Sequence, residues 1–160
     1  HTKSVQIIFN MLRLKPAEEF FNLAKDKGVA IIVRVPLASG LLTGKMNSNS
    51  TFPENDHRNY NINGDAFDVG ETFSGVDFNT ALKVVDELKS ITPEGFSLSQ
   101  LALKWILMHD AVSVIIPGAK NSDQALNNIS ASSLPDISNL MKQIENIYAT
   151  YLKDDIHPRW

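Results

Sequence analysis

VRVPLASGLLTGK, residues 33–45, joins a short apolar strand to a loop of small residues bounded by Gly40 and Gly44 and closed by Lys45. Small residues at a strand end let a ligand come close to backbone amides, and a lysine beside them can neutralise a phosphate. A second stretch is built alike: IPGAKNSDQALNN, residues 116–128, runs from an apolar segment through Pro117 and Gly118 into a helix-forming sequence. The structural alternative for the first stretch is an ordinary turn with a solvated lysine.

Working outward, VQIIF (5–9), VAIIV (29–33) and VSVII (112–116) are short β-branched apolar runs. Continuous runs of this kind predict strands buried on both faces of a parallel sheet. Pro16 suits the first turn of a helix, with Glu18 and Glu19 near its positive end, and Ala17, Phe20, Phe21 and Ala24 on one face. Gly28 is placed to end that helix. Asp77 predicts the N-cap of a helix over 77–90 that buries Ala81, Leu82, Val85 and Leu88. Ser97 and Gln100, in capping-box spacing, open another over 97–109 carrying Leu101, Ala102, Trp105 and Ile106. A helix is expected over about 122–131 and a last one over about 136–153, with Leu140, Met141, Ile144, Ile147, Tyr148 and Tyr151 as its apolar stripe. Residues 46–76 are polar and without periodicity, which predicts a long loop of the kind that is either functional or disordered.

Composition narrows the function classes. With 160 residues and 43% hydrophobic content the chain can build one core. A net charge of −3 speaks against a nucleic-acid surface. No apolar run approaches the roughly 20 residues that span a bilayer, so no membrane partner is expected. The absence of cysteine excludes disulfides, thiolate catalysis and sulfur-ligated metals, and fits a cytoplasmic protein. The histidines at 1, 57, 109 and 157 lack metal-ligand spacing. The opening HTKSVQ lacks the basic start and apolar centre of a signal peptide, and a chain that begins with His and runs almost at once into a strand predicts further sequence upstream.

Three strands alternating with helices define βαβ units, which by pattern alone belong either to a TIM barrel or to an open doubly wound sheet. Only three residues separate Gly40 from Gly44-Lys45, and Met46 stands where a phosphate-loop NTPase needs a hydroxyl; no G-x-G-x-x-G is present. In either fold the ligand side is the C-terminal end of the strands, so Phe9-Asn10, Arg34 to Lys45 and Pro117 to Asn128 should share one rim.

The 33–45 stretch resembles the loop after the seventh strand of aldo-keto reductases, and 116–128 resembles that family's adenosine-binding strand-to-helix junction. The resemblance covers nearly the whole chain. It implies a partial TIM (β/α)8 barrel made of the last three strands with their helices plus a C-terminal helix. Residues 1–160 would then be the C-terminal part of a single barrel domain whose N-terminal half is absent. It also implies an NADP cofactor. Gln6 would hold the nicotinamide carboxamide, since an amide side chain both donates and accepts. Arg34 stands where the family commonly has Tyr or Trp against the nicotinamide ring; a guanidinium can stack there, or pair with an acid from the missing half. Val35, Pro36, Leu37, Ala38, Ser39 and Gly40 would line the pyrophosphate through backbone amides, with the Ser39 hydroxyl and Lys45 adding to them. Gly118, Ala119 and Lys120 precede a helix N-terminus, and Gln124, Asn127 and Asn128 would face the adenosine. Lys120 and Arg58 are the candidates for a 2′-phosphate. The family reduces small aldehydes and ketones by hydride transfer, with a Tyr, Lys, Asp and His set from the first half of the barrel, and no residue of this chain matches that set. The alternatives are a non-catalytic NADP-binding regulatory subunit, like the β subunits of voltage-gated potassium channels, and an unrelated open α/β binding module.

Overall fold

Ser4–Ile8 (β1), Ala30–Arg34 (β2) and Val112–Ile115 (β3) form one parallel sheet in the order β1-β2-β3. They are seen in a computed structural model, which describes residues 1–159. Gln6 lies opposite Ile32 and Ile7 opposite Val33; Ile31 pairs with Val112 and Val33 with Ile115 across a bulge. Ser113 is the extra residue of that bulge, and its hydroxyl accepts a bond from the Ile31 amide at 3.2 Å.

Alternate side chains of a strand point to opposite faces. Ile7, Ile31 and Val33 enter the core, while Gln6 is exposed, Ile32 is half-buried and Val114 is 44% exposed. The strands are therefore buried mainly on one face, not on both as their continuous apolar sequence predicts. The helix side carries the packing: Phe9 stacks on Trp105 with centroids 4.8 Å apart and meets Phe21 edge-on at 4.7 Å.

The first helix is divided. A 3-10 turn over Lys15–Ala17 holds Pro16, and the helix proper, α1, is Phe20–Asp26. Ala17 and Glu18 donate to carbonyls three residues back, Leu14 and Lys15, so the proline's turn closes tightly before α1 begins. Gly28 closes it as expected, its amide donating to the Lys25 carbonyl. The next elements are α2 (His57–Tyr60), α3 (Phe78–Ser90) and α4 (Leu98–Leu107), followed after β3 by α5 (Ser122–Ser130), α6 (Ser138–Tyr151) and α7 (Lys153–Ile156). Val84 rather than Leu82 completes the buried face of α3. The expected last helix is interrupted at Leu152, with φ −127°, and the break lets both Leu152 and Ile156 reach the core.

Residues 46–76 are not the unstructured loop their sequence suggests. They contain α2 and two 3-10 turns, Val69–Glu71 and Phe73–Gly75, and they bury Asn61, Gly70, Thr72, Phe73 and Ser74. The Asn61 side chain accepts from the amides of Ala66 and Phe67, both at 2.9 Å, and donates to Thr72 Oγ1 at 3.1 Å. Side-chain amides that satisfy nearby backbone groups can order a segment with no hydrophobic repeat.

The capping box at Ser97 and Gln100 is complete, each side chain accepting from the other's backbone amide. Ser97→Ala should lower stability by about 1 kcal/mol, read as a shift in urea midpoint at unchanged slope; no shift would show that the cap contributes nothing.

Candidate functional site

The C-terminal ends of β1 and β2 are tied together by one buried side chain. Asn10, wholly buried just after β1, donates from Nδ2 to the Val35 carbonyl at 2.9 Å and to Ser74 Oγ at 2.8 Å, and accepts from the Leu12 amide at 2.9 Å. Val35, Ala38 and Ser39 after β2, and Phe73 and Ser74 in the long loop, have φ between 47° and 59°. They are the non-glycine residues in the left-handed region among the described residues. Each such conformation costs on the order of 1–3 kcal/mol and needs surrounding bonds to hold it. The bonds are present. Besides Asn10, the Ser39 hydroxyl donates to the Glu71 carbonyl and accepts from the Phe73 amide, both at 3.1 Å, with His57 Nε2 at 3.3 Å. Gly40, at φ 96°, continues the same left-handed path where a side chain would meet Met46 at 3.0 Å and Arg58 at 3.8 Å.

Charges gather on this rim. Arg34 Nη1 donates to Glu71 Oε2 at 2.5 Å, so an acidic partner for it stands in this chain, in the long loop. Arg58 grips both carboxylate oxygens of Asp56, at 2.9 and 2.7 Å, and lies over the Phe52 ring at 4.5 Å. That fork holds the Asp56 carboxyl well below the usual carboxylate range and raises Arg58 in turn. Arg13, buried beneath the loop, packs so closely on Gly70 that a Cβ there would fall 1.8 Å from its Nη1. Burial lowers the Arg13 pKa, while Asp68, Tyr148 and Glu71 oppose that shift.

The third strand supplies a separate cluster. The Lys120 amide donates to Gln124 Oε1 at 2.8 Å, Asn121 caps α5 by accepting from the Gln124 amide at 2.9 Å, and Asn128 Nδ2 donates to the Gly118 carbonyl at 3.1 Å. Gly118, Ala119, Lys120, Gln124 and Asn127 are exposed and Asn128 is half-buried. A Cβ on Gly118 would meet nothing within 4 Å, so the backbone there is open to approach.

Of the sequence-predicted residues, Gln6 and Arg34 fall on the same open sheet face, by the pairing of Gln6 with Ile32 two residues before Arg34. Pro36 and Ala38 are buried supports, Val35, Leu37, Ser39 and Gly40 are half-buried, and Lys45 is exposed. Arg58 is brought beside Gly40, and the Ser39 hydroxyl is committed to the long loop. His57, Glu71 and Ser74 reach the rim from the 46–76 stretch, whose sequence marks it as a functional or disordered loop without assigning these residues a role, and Arg13 joins them from the turn after β1. The signal for the first three is a polar loop too long for a simple connection; Arg13, outside that loop, has none. A recess of about 300 Å³ lies on the helix side, where Trp105, His109 and Tyr148 line it. A second recess, about 460 Å³ and wider open to solvent, lies beside Thr43 and Gly44 at the end of the β2 junction, against Lys89 and Leu98.

A family model for the Aldo/keto reductase family matches residues 2–149. The chain is 28% identical over 161 residues to aldo-keto reductase YhdN of Bacillus subtilis (strain 168), covering 98% of this chain and 45% of that protein. It is 33% identical over 129 residues to a probable voltage-gated potassium channel subunit beta of Arabidopsis thaliana, covering 77% and 36%. A solved glycerol dehydrogenase from Gluconobacter oxydans superposes with a TM-score of 0.74 at 22% identity over 93% of this chain and 43% of its own, a likeness of fold. The chain thus spans less than half the length of these relatives, and its sheet and helices are part of their (β/α)8 barrel.

Two measurements test the rim. Asn10→Ala orphans three partners, two of them buried, and should destabilise the protein by about 3 kcal/mol; a loss under 1 kcal/mol in urea unfolding would refute its role. The depressed Asp56 pKa means its ionised form stabilises the fold above the ordinary aspartate value of about 3.9, and that gain is lost only as pH falls through the lower folded value. Amide protection across 52–60 should therefore persist at pH 4 and be weak at all pH values in Asp56→Asn, by hydrogen exchange.

Proposed function

The chain belongs to the aldo/keto reductase family, and on that premise we propose that residues 1–160 form the NADP-holding, C-terminal part of a single-barrel carbonyl reductase. The observation that carries this reading is the meeting of independent features on one rim. Adjacent parallel strands end in two small-residue junctions, exposed lysines stand at both, and Gln6 on β1 and Arg34 on β2 share one sheet face. Ligands of such folds sit at the C-terminal strand ends.

The residues suit a phosphorylated dinucleotide. The backbone from Val35 to Gly40 would take the pyrophosphate with Lys45 as a mobile counter-charge; Ser39 contributes its amide, since its hydroxyl is held by Glu71 and Phe73. Gly118, Ala119 and Lys120 offer open backbone and a cation to the adenosine side, where Gln124, Asn127 and Asn128 supply amide groups. Arg58 and Lys120 would meet a 2′-phosphate, Arg58 at the cost of loosening its hold on Asp56. Gln6 would fix the carboxamide and Arg34 would flank the ring. When bound, the cofactor supplies a hydride to the carbonyl carbon of a small aldehyde or ketone. This chain's residues bind and orient; the proton donor comes from the half of the barrel that precedes them. Tyr148 does not replace it: burial pushes its phenol up to about 12, and it bonds to His157 on the helix side.

A second reading is a non-catalytic NADP-binding regulatory subunit of the same fold, favoured by the 33% identity to the plant channel subunit. The location we propose is cytoplasmic, in keeping with a chain without cysteine and with no helix long and apolar enough to cross a membrane among the described residues.

In the full-length protein, Lys45→Ala should weaken NADPH binding about tenfold and Gln124→Ala about fivefold, by fluorescence titration. Unchanged affinity in both variants would sink the cofactor assignment. Residues 1–160 alone should not oxidise NADPH in the presence of a carbonyl substrate, whereas turnover by the full-length protein separates the enzyme from the regulatory reading.

A further inference from the structure

We propose that Glu71 is a positioning residue that, through Arg34, sets the relative affinity of this site for the oxidised and reduced cofactor. The inference rests on the reading above, that Arg34 flanks the nicotinamide end of the dinucleotide.

Arg34 closes β2 on the open face of the sheet, two residues beyond Ile32 and beside the strand that carries Gln6. Its guanidinium is not free to meet a ligand as a bare cation: Glu71 Oε2 accepts from it at 2.5 Å, and the two side chains are 34% and 26% exposed. Charges so far withdrawn from water are weakly screened. Glu71 is held from several directions. Its carbonyl accepts from Ser39 Oγ, its amide donates to the Asp68 carbonyl, and Asp68 caps the turn by accepting from the Gly70 amide at 2.8 Å. The Arg13 guanidinium packs on Gly70, within electrostatic reach of Asp68, Glu71 and Arg34. Two arginines and two carboxylates therefore balance on this part of the rim.

That balance bears on a nicotinamide ring in one way. The oxidised ring carries a positive charge and the reduced ring none. With Glu71 ionised, the rim presents no net repulsion to the oxidised form. Without it, the rim gains one uncompensated positive charge, which acts against the oxidised ring and leaves the reduced ring nearly indifferent. Removing Arg34 instead leaves a carboxylate uncompensated and favours the oxidised form. Glu71 thus keeps an arginine usable where other members of the family commonly place an uncharged aromatic ring.

The test is a double-mutant cycle in the full-length protein, titrating NADPH and NADP+ separately by fluorescence and calorimetry. Glu71→Gln should weaken NADP+ about tenfold relative to NADPH, Arg34→Gln should shift the ratio the opposite way, and the double variant should restore it to within about twofold of the starting protein. NADPH binding by each variant reports that it is folded. Equal changes for both redox forms, an unchanged ratio, or shifts of the same sign in the two single variants would overturn the role of Glu71 while leaving the cofactor site intact. Variants that bind neither form because they do not fold would make the pair a structural one and overturn the proposal as well. Failure of the starting protein to bind either form would overturn the cofactor reading itself, and this inference with it.

Discussion

The buried Asn10 side chain is the constraint on which the rim depends. It reaches from the end of β1 to the end of β2 and to the far end of the long loop, satisfying Val35 and Ser74 while it orders its own turn through Leu12. A buried amide with every polar atom engaged stabilises one geometry and penalises others, because any displaced partner stays in a dry environment without a bond. The left-handed residues on both sides of it are tolerated for that reason. Strain at Val35, Ala38 and Ser39 faces strain at Phe73 and Ser74, and the two segments hold each other through Asn10 and Ser39.

The loop from 46 to 76 is consequently part of the wall and not a strap lying over it. Phe73, buried, packs near Phe52 and Phe78, with centroids 5.8 and 5.2 Å away, and this small aromatic group anchors the loop to the start of α3. Ion pairs then finish what packing begins. Arg58 is turned toward Gly40 by Asp56, and Arg34 is neutralised by Glu71. Exposed ion pairs contribute little to stability, but these are largely withdrawn from water and arranged with fork or short geometry. Their effect is on where charge is presented at the rim.

Much of the architecture was legible before any coordinates. The Asp77 cap, the Ser97–Gln100 box and the Gly28 stop are local devices, in which a side chain or a missing one satisfies a neighbour a few residues away. The three strands were legible from β-branched runs alone. Burial on their second face was not, since a continuous apolar run says that a strand is apolar and not which faces are covered. The division of the last helix at Leu152 was equally hidden, because the apolar stripe continues through the break and only packing requires Leu152 and Ile156 to turn inward together.

By itself the sequence determined the order of strands and helices, the two small-residue junctions at strand ends, and the lysines and amide side chains that stand there. Those properties are set by neighbours in the chain, whose spacing is readable. Only the tertiary structure decided that Asn10 joins positions 35 and 74, that Ser39 spends its hydroxyl on the loop, and that Arg34 meets Glu71. Each of these bonds links residues 25 to 64 positions apart, and a polar side chain with no periodic pattern does not announce a distant partner until folding has brought it within reach.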